Sequence, residues 1–327
     1  MYNFKYFFSF ILITLFGYLY EKYRFNEDSK RELEKYDKVK NFLFNGDSLS
    51  LLTDKPFLWI HNNYSKNSRW WPSFYSRTTE NLNQPYLQLC LESIVRHCGD
   101  SFHICIIDDE TFSKILPGWK IDMNRLPSPF RKHTRAVGMT KLLYYYGGLV
   151  VPNSLMVLKD LYPIYKNSVE EHDMFTFECV DRNSTAVYTS FFPDIRVLGC
   201  KKQTQIIKSF VDFLDHRNMG DFTSEPDFLG QANRWLFEKC QNKEVGLVPG
   251  NYIGTRTLYD KPVLIDDLLS EGYIDFDTKK LCAIYIPADE ILRRTKYEWF
   301  ARMSVDQVLL SGSLIAKYLL LSMGQAK

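Results

Sequence analysis

The part of this chain that most constrains its fold is a stretch with a Gly-Gly pair, residues 131–154 (RKHTRAVGMTKLLYYYGGLVVPNS). Its first half carries apolar residues at the spacing of one helix face: Met139, Leu142, Leu143 and Tyr146. Gly147 and Gly148 end that helix, because glycine adopts the left-handed C-terminal conformation without a Cβ penalty. Residues 149–151 predict a buried strand, and residues 152–154 supply the turn that ends it.

The loop after this strand is the first place where we predict a ligand site. In open α/β sheets, ligands bind at the carboxyl ends of the strands. Asn153 and Ser154 are therefore candidate ligand-binding residues, since both side chains can form hydrogen bonds.

The preceding segments fit the same type of sheet. Residues 56–61 (PFLWIH) and 101–107 (SFHICII) are predicted strands, and residues 85–97 between them have helical spacing. Such strand–helix–strand units are almost always right-handed and parallel. Further strands are predicted at 173–178 and 281–286, and further helices at 203–215, 226–238 and 304–321. The pattern predicts an α/β fold.

Composition limits the functions that this chain can have. It has 327 residues, of which 45% are hydrophobic, enough for one large domain or two small ones. The formal net charge of +2 provides no general field for binding nucleic acid. The seven cysteines form no CxxC pair, which argues against a structural zinc site. Their density slightly favours a reducing compartment and leaves a few disulfides open.

An apolar segment near the N-terminus predicts membrane attachment. Residues 6–20 (YFFSFILITLFGYLY) carry no charge and lie between Lys5 and Glu21. We expect residues 1–24 to form an uncleaved signal anchor, with a cleaved signal peptide and an ordinary buried helix as the alternatives. Residues 25–54 would form a stem that begins with a charge-dense segment, and residues 55–327 the globular domain. This predicts a single-pass, type II membrane protein, and leaves endomembrane, bacterial and viral membranes open.

The order of the globular segments resembles that of a known enzyme family. Strand, helix, strand, basic helix, Gly-Gly and strand follow each other as in nucleotide-diphospho-sugar glycosyltransferases of GT-A fold, closest to family 32 and the capsular-polysaccharide-synthesis group. The resemblance is carried by residues 58–61 (LWIH), 106–109 (IIDD) and 141–151 (KLLYYYGGLVV), with weaker support from 198–201, 228–230 and 305–318.

The resemblance implies a GT-A-like, Rossmann-like fold with a mixed, mostly parallel sheet flanked by helices. It also implies transfer of a hexose from a nucleotide-diphosphate sugar to a glycan or glycolipid acceptor. The resemblance thus predicts the nucleotide sugar and the acceptor as partners, while the N-terminal apolar segment predicts the membrane and the small net charge predicts no nucleic acid.

The sequence departs from that family at the metal-binding loop. The family places an Asp-x-Asp motif after the Gly-Gly strand, where two carboxylates hold a divalent metal such as Mn²⁺ on the diphosphate. Here those positions are Pro152, Asn153 and Ser154, and none is a carboxylate. The family's acidic and basic residues in the preceding helix would fall at Ala136 and Met139. The sequence therefore predicts no conventional metal site at this loop.

Two hypotheses remain for the chemistry. In the first, transfer is metal-independent, and cations neutralise the departing diphosphate. Arg131 and Arg135 are the candidates, because they lie near the helix N-terminus, where the helix dipole also favours anions. A solvated basic helix start is the alternative for both. In the second hypothesis, the chain keeps the fold and has lost the activity.

Acidic and imidazole side chains at strand and helix ends complete the predicted site. His61 ends the first strand, and Asp108 and Asp109 end the second, so all three are candidate nucleotide contacts. The alternatives are a structural histidine and an ordinary helix N-terminus, where acids are favoured. A catalytic base must reach the acceptor hydroxyl. Asp227 and Glu225, at the start of a predicted helix, are the candidates, with helix capping as the alternative.

Overall fold

The fold is described from a computed structural model, which covers residues 55–62, 84–179, 191–220 and 225–324. For residue 128 and residues 225–229, only the backbone is described. The predicted anchor (1–24) and stem (25–54) lie outside the described residues. Within the described part of the chain, no helix has both the length and the hydropathy that a membrane crossing requires.

The described strands form two sheets. The central sheet has six strands in the order β2-β1-β3-β6-β5-β7, and a small sheet pairs β4 with β8. The strands are β1 (Phe57–His61), β2 (His103–Ile107), β3 (Gly148–Pro152), β4 (Leu155–Val157), β5 (Met174–Glu178), β6 (Pro193–Cys200), β7 (Gly246–Val248) and β8 (Ala283–Tyr285).

Helices connect the strands and cover both faces of the central sheet. The α-helices are α1 (Tyr86–Cys98), α2 (Thr111–Ile115), α3 (Ser128–Tyr146), α4 (Tyr162–Glu171), α5 (Gln205–Met219), α6 (Glu225–Gln241), α7 (Ile265–Leu269), α8 (Ala288–Arg293), α9 (Glu298–Ala301), α10 (Val305–Leu310) and α11 (Leu314–Ser322). Short 3₁₀ turns occupy Met123–Arg125, Gly250–Tyr252 and Thr295–Tyr297.

All strands of the central sheet except β6 point in one direction. β2, β1 and β3 are parallel neighbours, and β7 is parallel to β5. β6 runs antiparallel to both of its neighbours, β3 and β5. The structure therefore confirms the predicted mixed, mostly parallel sheet flanked by helices, and this architecture is consistent with a GT-A-like fold. The sequence pattern does not predict β6 itself.

The alternation of side chains along β1 explains why both faces of the sheet are covered. Phe57 and Trp59 pack into a core that α3, α5 and α6 share, whereas Leu58 and Ile60 pack into a core on the opposite face. Successive side chains of a strand point to opposite faces, so an apolar run of this kind requires a helix layer on each side. The Trp59 indole nitrogen donates to the carbonyl oxygen of Gly147 at 3.0 Å, which satisfies its polar atom inside the core.

The predicted Gly-Gly turn also fixes how closely β3 approaches β1. Gly147 is the C-cap of α3, and its N–H donates to the carbonyl oxygen of Leu143 at 2.8 Å. Gly148 has a φ of 102°, and a Cβ atom on it would lie 2.1 Å from the carbonyl oxygen of Phe57. Glycine is therefore required at the first position of β3 by both backbone conformation and space.

The prediction of one long helix over residues 304–321 is wrong. The structure has two helices there, α10 and α11, separated by residues 311–313. Gly312 has a φ of 69°, a left-handed conformation that interrupts a right-handed helix. Ser304 and Ser313 each accept a hydrogen bond from the first turn that follows, so each caps its own helix.

Candidate functional site

The site is built where the strand order of the central sheet reverses. The chain leaves β1 for β2 on one side and then returns to β3 on the other side of β1. Ligands in open α/β sheets bind in the crevice at the carboxyl ends of the strands at such a point. The carboxyl ends of β1 and β3 are His61 and Pro152, which are partners in the parallel pairing of these strands. Asn153 Nδ2 donates to Asn62 Oδ1 at 2.8 Å, which links the two loops that leave these strands.

A cavity of about 240 Å³ opens at this crevice. Its walls come from the ends of β1 and β3, from one face of α3, from β6 and from the start of α8. The polar lining residues are His61, Lys132, His133, Arg135, Thr140, Asn153, Arg196 and Asp289. The apolar lining residues are Ala136, Met139, Leu143, Val150, Val151, Pro152, Ile195 and Leu198.

Three predicted nucleotide-binding residues form one hydrogen-bonded network beside the cavity. His61 Nε2 lies 2.8 Å from Asp109 Oδ1. Arg135 Nε and Nη2 donate to Asp109 Oδ1 and Oδ2 at 2.8 and 2.7 Å. The three side chains come from β1, α3 and the loop after β2, and each side chain is at most 20% exposed. Bidentate arginine–carboxylate pairs of this kind are among the stronger polar interactions in proteins.

The network fixes the charge state of two of its members. Burial opposes the ionised form of Asp109, but hydrogen bonds from His61 and Arg135 hold its pKa well below its usual range. Burial lowers the pKa of His61 below its usual value of 6.5, and the Asp109 hydrogen bond offsets only part of this effect. At neutral pH, His61 is therefore a neutral imidazole beside an ionised carboxylate.

Arg131 and Arg135, which lie one turn apart in α3, have different environments in the structure. Arg135 lines the cavity, whereas Arg131 Nη2 donates to the carbonyl oxygens of Leu126 and Asn124 at 2.9 and 3.3 Å. Arg131 thus secures the 3₁₀ turn before α3 and does not line the cavity. Lys132, one position further along, does line it.

Asp108 and Ser154 are also held in structural contacts. Asp108 Oδ1 accepts hydrogen bonds from the backbone N–H and the hydroxyl of Thr111 at 3.0 and 2.6 Å. This contact stabilises the first turn of α2, which is the alternative that the sequence leaves open for this carboxylate. Ser154 is buried, and its carbonyl oxygen accepts from the N–H of Ile286, beside the end of β8. Neither residue lines the cavity.

Arg196 lines the cavity and is not among the residues predicted from the sequence. It lies on β6, where its Nη1 donates to the Tyr285 hydroxyl at 3.0 Å and lies 3.4 Å from Asp194 Oδ2. The sequence signal that marks it is an Asp-x-Arg pair, Asp194 and Arg196, in the otherwise apolar run 193–200. That signal has meaning only once the run is known to be a strand whose middle faces the crevice.

Glu178, at the carboxyl end of β5, forms a buried ion pair with Arg256. Its Oε1 lies 2.7 Å from both Nε and Nη2 of Arg256, and its Oε2 accepts from the N–H of Gly250 at 3.0 Å. The pair fastens the loop after β7 to the sheet. Glu178 does not line the cavity.

The predicted catalytic carboxylates lie on α6. Glu225 is the first residue of this helix and Asp227 follows in its first turn. The side chains of both residues lie outside the described part of the structure. Their role as catalytic base or helix cap therefore stays a prediction.

The residues at the strand-end loop do not fit a divalent metal. Pro152, Asn153 and Ser154 offer no carboxylate, and hard cations such as Mn²⁺ favour sites that supply one or more. Among the described residues, no three histidine, cysteine, aspartate or glutamate side chains are grouped as metal ligands would be. Asp289 is the one carboxylate among the described residues that line the cavity, and Asp109 beside it already contacts Arg135 and His61.

Comparisons with known proteins give only distant similarities. No protein-family model matches this sequence, and no curated protein matches it. Among solved structures, the apo-form glycosyltransferase GlyE of Streptococcus pneumoniae TIGR4 aligns with 61% of this chain and 46% of its own, at 15% identity and a TM-score of 0.32. The PaToxG glycosyltransferase aligns with 68% of this chain and 83% of its own, at 11% identity and a TM-score of 0.32. This chain thus spans less than half the length of GlyE, and similarities this low establish neither a family nor an activity for it.

Proposed function

We propose that this protein is a glycosyltransferase that transfers a hexose from a nucleotide-diphosphate sugar to a glycan or glycolipid acceptor. The observation that carries the proposal is the cavity at the reversal point of a mostly parallel sheet, with basic side chains on its walls. A nucleotide ligand requires such a crevice, and a diphosphate requires positive groups or N–H donors.

The charges at the cavity suit an anionic leaving group. Lys132, Arg135 and Arg196 line the cavity together with a single carboxylate, Asp289. Positive groups placed around a departing diphosphate stabilise the charge that develops in the transition state. Transfer would then proceed without a metal held at residues 152–154.

A second candidate function is nucleotide-sugar or glycan binding without catalysis. The observation that favours it is that Arg135 and Arg196 already contact Asp109 and Asp194. A diphosphate would have to compete with these carboxylates or share the arginines with them. The proposed membrane anchor, residues 1–24, is compatible with either function, because both place the domain near a glycolipid or glycan at a membrane surface.

Calorimetric titration of the purified full-length protein with UDP, GDP and their sugars, in Mn²⁺ and in EDTA, tests both candidates. We expect binding that survives EDTA and weakens at least about tenfold in Arg135→Ala and Arg196→Ala. Arg125→Ala is the matched control, because Arg125 is exposed and contacts only Asp122 among the described ion pairs. Binding accompanied by sugar transfer supports the enzyme, and binding without transfer to any acceptor supports the second candidate. Absence of binding to every nucleotide contradicts both.

A further inference from the structure

We propose that Asp289 and Arg196 form the subsite that recognises the transferred sugar, and that this sugar is a neutral hexose and not a uronic acid. In this subsite the Asp289 carboxylate accepts hydrogen bonds from hydroxyl groups of the hexose, and the Arg196 guanidinium donates to them. The inference rests on the proposed function and deepens it, because it names the class of sugar and the residues that select it.

The fold brings Asp289 to the carboxyl end of β3 from a distant part of the sequence. β8 pairs with β4, and the N–H of Ile286, just after β8, donates to the carbonyl oxygen of Ser154 at 3.1 Å. α8 begins two residues later, and Asp289 lies in its first turn. Asp289 thus supplies the cavity with a carboxylate, although the loop after β3 has none.

The Asp289 side chain is available to a ligand. The residue is exposed to solvent, and no described residue forms a hydrogen bond or an ion pair with its carboxylate. The next residue, Glu290, pairs instead with Arg294 at 3.0 Å. An ionised carboxylate has only acceptors, so Asp289 can take up O–H groups without first losing a partner in the described part of the chain.

Arg196 supplies the cavity with the donors that Asp289 lacks. Its Nη1 donates to the Tyr285 hydroxyl at 3.0 Å and lies 3.4 Å from Asp194 Oδ2, so two residues hold the guanidinium in place. A guanidinium carries five N–H donors, and the described contacts of Arg196 use only those of Nη1. The negative charge of Asp194, and to a smaller extent that of Asp289, raises the pKa of Arg196. Asp289 therefore lies within electrostatic range of the guanidinium.

A carboxylate and a guanidinium on one cavity wall complement a sugar hydroxyl. A hydroxyl group both donates and accepts, so it can donate to Asp289 and accept from Arg196. Hydrogen bonds to charged groups are stronger than those between neutral groups. Much of the remaining cavity wall is apolar, including Ala136 and Met139 of α3, and the C–H groups of a sugar ring can pack against such a surface.

The ring that this subsite would hold is the transferred hexose and not the ribose. Transfer requires that the anomeric carbon be shielded from water until the acceptor arrives, because an exposed donor would be hydrolysed. The hexose therefore belongs in the cavity. The diphosphate attached to it would then lie near Lys132 and Arg135, which line the same cavity.

The charge of Asp289 also excludes one class of donor. The carboxylate of a uronic acid would lie close to Asp289, and two like charges in a site that is shielded from water oppose binding. Asp289→Asn removes this charge and keeps the shape of the side chain, whereas Asp289→Ala removes the acceptor oxygens as well. The two variants therefore separate charge from hydrogen bonding.

Calorimetric titration of the full-length protein tests the subsite through ligands that differ only in the sugar. UDP, UDP-glucose and UDP-glucuronic acid form one series, and GDP and GDP-mannose form a second. In Asp289→Ala we expect the affinity for the neutral nucleotide sugar to fall about 10- to 100-fold, while that for the nucleoside diphosphate changes by less than about threefold. In Asp289→Asn we expect the affinity for UDP-glucuronic acid to rise at least about threefold.

Two further variants complete the test. Arg196→Lys keeps the charge and loses the fork of N–H donors, so it should weaken UDP-glucose about tenfold and UDP by less than about threefold. Asp306→Ala is the matched control for Asp289→Ala, because Asp306 is also exposed and also lies in the first turn of a short helix, α10, but does not line the cavity. It should leave all affinities unchanged.

The outcomes separate this inference from the proposed function. Equal losses for UDP and UDP-glucose in Asp289→Ala would place the ribose at this carboxylate and overturn the inference. An Asp289→Ala variant with wild-type affinity for neutral nucleotide sugars, or a wild type that prefers UDP-glucuronic acid, would also overturn it. All three results leave the proposed transferase intact, because nucleotide sugars still bind. A wild type that binds no nucleotide and no nucleotide sugar contradicts the proposed function, and the inference with it.

Discussion

Arg135 donates from Nε and Nη2 to the two carboxylate oxygens of Asp109, at 2.8 and 2.7 Å. This bidentate pair fastens α3 to the loop after β2, and it holds the carboxylate that His61 contacts. One arginine thereby serves the packing of the domain and also lines the cavity. Its contribution to stability can be measured against that of Arg125, which forms an exposed ion pair with Asp122 in the same chain.

Removing the Arg135 side chain should destabilise the protein. Arg135→Ala leaves the largely buried Asp109 without its main partner, and we expect a loss of about 3 kcal/mol in the free energy of unfolding. Arg125→Ala breaks an ion pair whose arginine side chain is 87% exposed, and should change stability by no more than about 0.5 kcal/mol. Urea unfolding followed by circular dichroism measures both. Equal losses in the two variants would contradict the structural role given to Arg135.

The stability of the protein should decrease as the pH falls below 6.5. The pKa of His61 is lower in the folded state than its usual value of 6.5, so the unfolded chain binds the proton first as the pH falls. The loss begins near pH 6.5, reaches at most about 1.4 kcal/mol per pH unit for one proton, and ends below the folded pKa. The contribution of Asp109, whose folded pKa is depressed, is present above about pH 3.8 and is lost only in more acidic solution.

Urea titrations at several pH values between 5 and 7.5 measure this dependence. His61→Gln should flatten the profile over this interval, because it removes the imidazole whose pKa folding lowers. A profile that keeps its full slope in His61→Gln would mean that another group dominates the titration.

Two glycines inside helices should respond oppositely to alanine. A Cβ atom on Gly138 would lie 2.9 to 3.1 Å from the ring of Phe112, whereas one on Gly230 meets nothing within 4 Å. Alanine is favoured over glycine in a helix by about 1 kcal/mol. We therefore expect Gly230→Ala to raise the melting temperature. Gly138→Ala should lower it, since the Phe112 ring is fully buried and has little room to move.

The Gly138→Ala variant also tests whether Phe112 holds the His61 ring in place. Because Phe112 stacks on His61, a displaced ring in Gly138→Ala should also alter the NMR signal of the His61 imidazole. An unchanged His61 signal and an unchanged melting temperature would show that α2 can shift to accommodate the added Cβ atom at no cost in stability.

Asp108 should prove to be a structural residue that holds Thr111 at the start of α2. Asp108→Ala removes the acceptor for the backbone N–H and the hydroxyl of Thr111, and should lower stability by about 1 kcal/mol. Asp108→Asn keeps an oxygen that can accept from Thr111 and should change stability by only about a few tenths of a kcal/mol. We expect nucleotide affinity to be equal in wild type and Asp108→Asn, as measured by calorimetry. A large loss of affinity in Asp108→Asn would instead place this carboxylate in the binding site.

The sequence predicted well those features that depend on neighbours in the chain. The apolar stripe of α3, the Gly147-Gly148 turn and the short apolar strand after it each follow from local spacing and backbone preference. The same reasoning fails where local signals are weak. Gly312 breaks the C-terminal helix, although the apolar periodicity continues across it, and β6 has no flanking pattern that marks it as a strand.

For the candidate site, too, some features follow from the sequence and others only from the tertiary structure. The sequence alone determined that His61 ends a strand, that Asp109 and Asn153 lie just after strands, and that Arg131 and Arg135 share a helix. It also determined that the loop after β3 lacks the carboxylates of a metal site. Only the tertiary structure decided that His61 meets Asp109 across 48 positions, and that Arg135 rather than Arg131 joins them. The physical reason is that periodicity encodes contacts within a segment, whereas contacts between segments depend on strand order and on how α3 is rotated against the sheet.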